Sequence, residues 1–327
     1  MVLWVIVILS MIVLEFCFSM RTEINTTQHY KGEIQLYRYA EGGIERAIAE
    51  LINKQDPKIQ QLRKTAAADQ IPPDKKEWST DGRSYQLSYD RGTCEVRVIG
   101  EGGKININTV QDATLRRIVG QLGLEGEDRD IVTDSILDWI DPDDLTRLNG
   151  AENDYYHSLK EPYNCKNANL DSIEELLLVR GVTPDLFYGK KGKKDDSGGQ
   201  TEGQPGLKDI FSIYAPGTTI DINSAAVPAL RVVLGVPTAL ARQIVMAREQ
   251  QAFANEQDLV QRVPEMQSLI NSARSLIAYQ SATLFYTIEA MGKAKEGGAQ
   301  QGIKAIVKID PAERSGYKVI QWVDQFL

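Results

Sequence analysis

The chain has 327 residues, 42% of them hydrophobic and 25% charged, which excludes a disordered polypeptide and leaves room for two or three compact domains. Acidic residues outnumber basic ones 45 to 37, and the resulting net charge of −8 argues against a binder of the nucleic-acid backbone. Two histidines, His29 and His157, and three cysteines exclude three-histidine zinc sites, HExxH, paired CxxC zinc sites and a disulfide-dense scaffold.

Residues 1–20, MVLWVIVILSMIVLEFCFSM, are an apolar run long enough to cross a bilayer core of about 30 Å as a helix. No cation precedes the run and no small-residue cleavage site follows it, so it reads as an anchor rather than a signal peptide. Glu15 lies inside it, either as a pairing position at membrane depth or as an interfacial residue beside Arg21. From Arg21 to Asn53 there is no proline, and Ile34, Tyr37, Ile44, Ile48 and Leu51 recur at helical spacing. Anchor and amphipathic stretch together predict one rod of about 50 residues, with Gly42-Gly43 a local weakness.

Residues 54–80, with Pro72-Pro73, predict a loop or short connecting helix. Tyr85, Leu87 and Tyr89, then Cys94, Val96 and Val98, alternate about Asp90-Arg91-Gly92-Thr93 and predict a β-hairpin. Helices are expected at 111–123, 128–140 and 171–179, the last with a Ser172/Glu175 capping box. The segment Gly189–Gly206 has no apolar residue to bury and predicts a mobile loop. Helices follow at 224–234, 237–251, 256–263 and 265–277, with Pro237 and Pro264 at helix starts. Three alternating strands end the chain: Leu284–Ile288, Ile303–Ile309 and Tyr317–Val323.

One repeat stands out. Lys104-Ile105-Asn106-Ile107-Asn108-Thr109 and Thr219-Ile220-Asp221-Ile222-Asn223-Ser224 each precede a helix, with Ile-x-Ile expected to face inward and Asn108-Thr109 or Asn223-Ser224 to cap. The order helix, strands, helical block, strands predicts an α+β fold with a large all-α domain inserted between strands. Its segments are 1–20 for the anchor, 21–100 and 278–327 for the α+β domain, and 101–277 for a helical domain of two related subdomains.

The apolar helix and amphipathic spine, followed by GKININT, LDWIDPDD, GAENDYY and PYNCKNANLDSIEELLLVRGV, resemble the protein K family of large minor pseudopilins in type II secretion. The resemblance implies a pilin-like long N-terminal helix with a small antiparallel sheet, and a single-pass inner-membrane protein whose globular region is periplasmic. It further implies a non-enzymatic subunit that caps the pseudopilus tip together with minor pseudopilins I and J. The secreted substrate and the outer-membrane secretin are further partners that it allows, and no nucleic acid is expected. Pilin-like precursors carry a basic leader ending in Gly, so the chain is expected to start within the apolar helix of a longer or processed form. The glutamate common at the fifth mature position of pilins is not equated with Glu15. A minor pilin of a type IV pilus is the alternative.

Asp138, Asp141, Asp143, Asp144, Glu152 and Asp154 cluster within one short stretch. Hard cations take six to eight oxygen ligands, so these residues either hold a metal or form a solvated acidic loop. Leu145 and Thr146 fill positions where an EF-hand requires a ligand and a glycine, so the stretch is not an EF-hand. The family resemblance implies structural calcium in the helical domain. His157 reads as a surface histidine, because no nucleophile motif accompanies it. Cys94 and Cys165 either pair in an oxidising compartment or remain thiols, with Cys17 in the membrane helix. Residues 220–263 also resemble helix-hairpin-helix modules of DNA-uptake receptors, although Pro237 lacks the N–H that such a turn presents to phosphate.

Overall fold

The computed structural model describes residues 2–59, 61, 78–190, 192, 203–280, 283–295 and 298–324. The chain divides into one unit of Met1–Trp78, Arg83–Val98 and Thr287–Leu327, and a second of Ser79–Gly82 and Ile99–Tyr286. Pro72-Pro73 and most of the expected loop at Gly189–Gly206 lie outside the described residues.

The first unit is built on helix α1 (Val2–Gln55). Its N-terminal part exposes Leu3, Trp4, Ile12, Leu14 and Phe18, and by length and composition it can cross a membrane. Further along, Leu36, Ala40, Ile44, Ala47, Ile48 and Leu51 are buried at three- and four-residue intervals, and the helix packs on the strand Gln300–Ile309. Ile34, expected on that face, is exposed, and two alanines take part in the stripe instead. Small residues allow close packing, and Gly43 shows how close: a Cβ there would stand 2.6 Å from Cys94 Sγ and 2.9 Å from a Val96 methyl. Glycine therefore sits inside the helix despite costing about 1 kcal/mol in propensity.

The sheet runs β1-β2-β7-β8-β9, from β1 (Asp81–Tyr89), β2 (Gly92–Gly100), β7 (Phe285–Ala294), β8 (Gln300–Ile309) and β9 (Tyr317–Asp324). Strands β1 and β2 form the expected hairpin about Asp90-Arg91, and Cys94, Val96 and Val98 face the core. Strand β9 departs from its alternating pattern. It pairs antiparallel with β8 through an irregularity at Ile306/Val307, lies at the sheet edge and leaves Val319, Ile320, Trp322 and Val323 exposed.

The second unit holds the repeat. Strand β3 (Ile105–Asn106) pairs in parallel with β4 (Phe211–Ser212), and β5 (Ile220–Asp221) with β6 (Ile277–Ala278). Each copy continues into a helical hairpin, α2 (Asp112–Gln121) with α3 (Gly126–Ile140), and α4 (Val227–Leu234) with α5 (Thr238–Gln250). Ile105, Ile107, Ile220 and Ile222 are buried in one apolar core. Neither Asn108-Thr109 nor Asn223-Ser224 caps the following helix, whose N-cap residues are Gln111 and Ala226. Asn108 instead exchanges two hydrogen bonds with the backbone of Leu170, at 3.1 and 2.8 Å, and Asn223 does the same with Phe253, at 3.0 and 2.7 Å.

The capping box forms, but Ile173–Leu178 is a tighter 3-10 turn rather than an α-helix. Helix α6 (Glu256–Arg262) is as expected. The single helix expected over 265–277 is broken into Pro264–Ser268, Ile270–Ala273 and Arg274–Leu276, and it ends where Ile277 turns extended to pair with Ile220. All three cysteines are free, Cys17 exposed and Cys94 and Cys165 buried.

Candidate metal centre

Helix α3 carries the acidic stretch to its C-terminal end, where Asp141 donates its amide to Leu137 O and Pro142 prevents continuation. Behind this point Arg116 binds Asp112, Asp130 and Asp134 at 3.0, 2.8 and 2.7 Å. Asp134 in turn accepts from the Asn149 amide at 3.2 Å, so the return of the loop is anchored on α2 and α3. Trp139, Tyr156 and Tyr163 form an aromatic layer, with Trp139 edge-on to Tyr156 at 5.2 Å.

The six carboxylates separate into different environments. Asp138 is fully buried and accepts from the Arg147 amide at 3.1 Å, with the Arg147 guanidinium 3.2 Å away. Burial pushes its carboxyl up to about 6. A Cβ on Gly150 would collide with Asp138 Oδ2, so only glycine lets the chain pass there. Asp141 pairs with Arg147 at 3.0 Å through one oxygen, while its other oxygen is buried without a partner. Exposed Asp143 accepts from the Leu145 amide, exposed Asp144 accepts from Asn153 Nδ2, and Asp154 is exposed in a one-turn helix.

Glu152 is the exception. It is 2% exposed, neither of its carboxylate oxygens is met by an N–H or O–H group, and the neighbouring Cys165 thiol is a weak donor to it. Burial, reinforced by repulsion from Asp138, Asp141 and Asp144, pushes its carboxyl up to about 7. A buried carboxylate with neither a cation nor a strong donor is costly by several kcal/mol, and a hard cation would relieve that cost.

Asn167 adds a residue that charge counting missed. Its φ of 46° is the one positive value among the described non-glycine residues. Its Nδ2 donates to Asp143 O at 2.7 Å, while its Oδ1 is buried and unpartnered. The orphaned oxygens thus belong to Glu152, Asp141 and Asn167, two carboxylates and an amide, a donor set suited to a hard cation. Among the described residues, no three His, Cys, Asp or Glu side chains gather at one point. His157 is exposed and bonds Asn164 at 2.7 Å. In the second helical hairpin, Gly235 takes a left-handed conformation, the Val236 amide is bound to Arg231 O, and Pro237 has no N–H. Those amides are therefore turned to the protein itself.

Comparison with known proteins adds the following. Residues 98–188 match the family model for type II secretion system protein K, and residues 216–268 match the helix-hairpin-helix motif. The type II secretion system protein K of Pectobacterium carotovorum is 38% identical over 106 residues, which span 31% of this chain and 32% of that relative. The protein of the same name from Pseudomonas aeruginosa is 22% identical over 299 residues, 88% of this chain and 81% of the relative. Among solved structures, the GspK-GspI-GspJ complex of the type 2 secretion system of enterotoxigenic Escherichia coli contains a chain with a TM-score of 0.54 and 14% identity. That match covers 92% of this chain and 99% of the other, and it shows a shared fold.

Proposed function

We propose, from the match of residues 98–188 to the type II secretion system protein K model and the likeness to proteins of that name, that the chain is an inner-membrane minor pseudopilin that caps the tip of the pseudopilus and helps initiate its assembly for protein export. One observation carries this reading. Helix α1 leaves its first apolar turns bare and buries the following stripe under a sheet into which Ile99–Tyr286 is inserted between β2 and β7. The bare turns can rest in the membrane and later pack against neighbouring helices. A subunit repeated along a thin filament has no room for so large an insertion, whereas a subunit used once at an end does.

The globular region then lies in the periplasm, and the role is structural rather than catalytic. The partners are the proteins that correspond to GspI and GspJ, the companions named for the E. coli structure of similar fold. Glu152, Asp141 and Asn167, with Asp144 nearby, would hold a structural calcium ion, which supplies positive charge to oxygens that no N–H or O–H group meets. Cation binding would then stabilise the folded segment by mass action, about 2.7 kcal/mol at a hundredfold excess over Kd.

Full-length chain co-expressed with pseudopilins I and J is expected to form a stoichiometric complex, and immunogold labelling is expected at filament ends. Labelling distributed along the filament would overturn the tip position.

A further inference from the structure

We propose that Leu145 and Leu148 form an apolar docking knob for another protein whose recognition surface is an apolar pocket rimmed by lysine or arginine. The two side chains are 77% and 95% exposed, although they belong to a loop held by many hydrogen bonds. Asp143 accepts from the Leu145 amide, Asp138 and Asp141 hold Arg147, Asp134 holds Asn149, and Arg180 donates to Gly150 O at 2.9 Å. Much of the polar side-chain set turns toward the protein and both leucines turn away, the inverse of an ordinary solvated loop.

The repeat shows that the fold does not require this arrangement. In the second copy, α5 ends at Gln250 and the clamped residue Phe253 follows after 251–252. In the first copy, α3 ends at Ile140 and the equivalent clamped residue, Leu170, follows after 141–169. The extra segment is an elaboration of a unit that closes without it, and its outward tip is apolar.

Charge selects the partner. Asp143, Asp144 and Asp154 are exposed, and the Arg147 cation is paired with Asp138 and Asp141. Such a rim repels lipid phosphates and nucleic acid and favours a basic rim on a protein. Two leucines offer a small contact, suited to an encounter that forms and breaks.

The test rests on the export role proposed above. Full-length Leu145→Ser/Leu148→Ser and Leu145→Met/Leu148→Met variants are compared with the native chain in cells. The serine pair is expected to keep its melting temperature and its complex with pseudopilins I and J, yet to lower export at least tenfold, while the methionine pair exports normally. A benzophenone residue at position 148 is expected to give one protein adduct that is lost on Leu145→Ser and reduced severalfold by Asp154→Lys. Native export by the serine pair, loss of its complex with I and J, an adduct insensitive to Asp154→Lys, or an adduct with lipid only would each overturn the proposal. Failure of the native chain to bind I and J would instead strike the tip role.

Discussion

Arg248 on α5 and Asp81 at the start of β1 form an ion pair at 2.9 Å in which the side chains are 3% and 4% exposed. Arg248 also donates to the carbonyls of Ile222 and Ala225, at 2.6 and 2.8 Å, so one guanidinium joins a strand start to both sides of the second repeat turn. Removing one member takes an ion-pair partner from a buried charge, a class of change that costs about 3–5 kcal/mol. Arg248→Met is expected to lower stability by that order in urea unfolding, and Arg248→Met with Asp81→Leu to recover part of it. An additive double variant would show that the two side chains are not coupled.

Calcium is expected to raise the melting temperature of metal-stripped full-length protein above its value in chelator. Glu152→Gln should abolish that rise and also raise the melting temperature in chelator, because it removes a buried negative charge that no N–H or O–H group meets. Asp258→Asn, at the start of α6, should leave the calcium increment unchanged. A normal calcium increment in Glu152→Gln would remove this residue from the site.

The segment between Lys190 and Gln204 is expected to be dispensable, but its neck is not. Lys190 and Gln204 exchange backbone hydrogen bonds at 2.8 and 2.9 Å, and Gln204 also donates to Leu122 O. A Cβ on Gly189 or Gly206 would press on the opposite backbone at 2.4 and 2.2 Å. Replacing 191–203 by Asn-Gly, the pair favoured in a two-residue hairpin, should shift the melting temperature by less than about 2 °C. Removing 189–206 altogether should lower it clearly, and equal melting of the two deletions would contradict the role of the neck.

Glu95 contributes acid sensitivity in the first unit. Lys293 at 2.5 Å, helped by Ser84 and Arg97, holds its carboxyl down at about 2. A carboxyl lowered below its unfolded value stabilises the fold above about pH 4.5, and that contribution is lost as pH falls toward 2. Glu95→Gln should therefore cost roughly 1 kcal/mol or less at pH 7, given partial solvent screening, and almost nothing at pH 2. Urea midpoints of both proteins at the two pH values give the comparison; a cost that persists at pH 2 would assign the effect to packing.

Local periodicity by itself determined the long helix, the hairpin at Asp90-Arg91, the two Ile-x-Ile turns and the Ser172/Glu175 box, because each is set by residues within a few positions of one another. It also marked the acidic stretch as unusual. What periodicity could not resolve is which face of a segment meets water when the covering element lies far along the chain. Strand β9 shows this: its alternation is regular, yet as the last strand of the sheet it is exposed along both faces.

The same limit applied to the candidate site. Spacing made Asp138, Asp141, Asp143, Asp144, Glu152 and Asp154 equivalent, and only the tertiary structure distinguished them. Arg147 neutralises Asp138, backbone and Asn153 donors serve Asp143 and Asp144, solvent reaches Asp154, and Glu152 is enclosed with no stronger donor than the Cys165 thiol. Asn167 presents a buried, unpartnered oxygen on a left-handed backbone that composition does not reveal, and Asn108 and Asn223 became clamps because their partners arrive from distant loops. The sequence specified the donors and acceptors; which of them lost water without finding one another depended on the packing of the whole second unit.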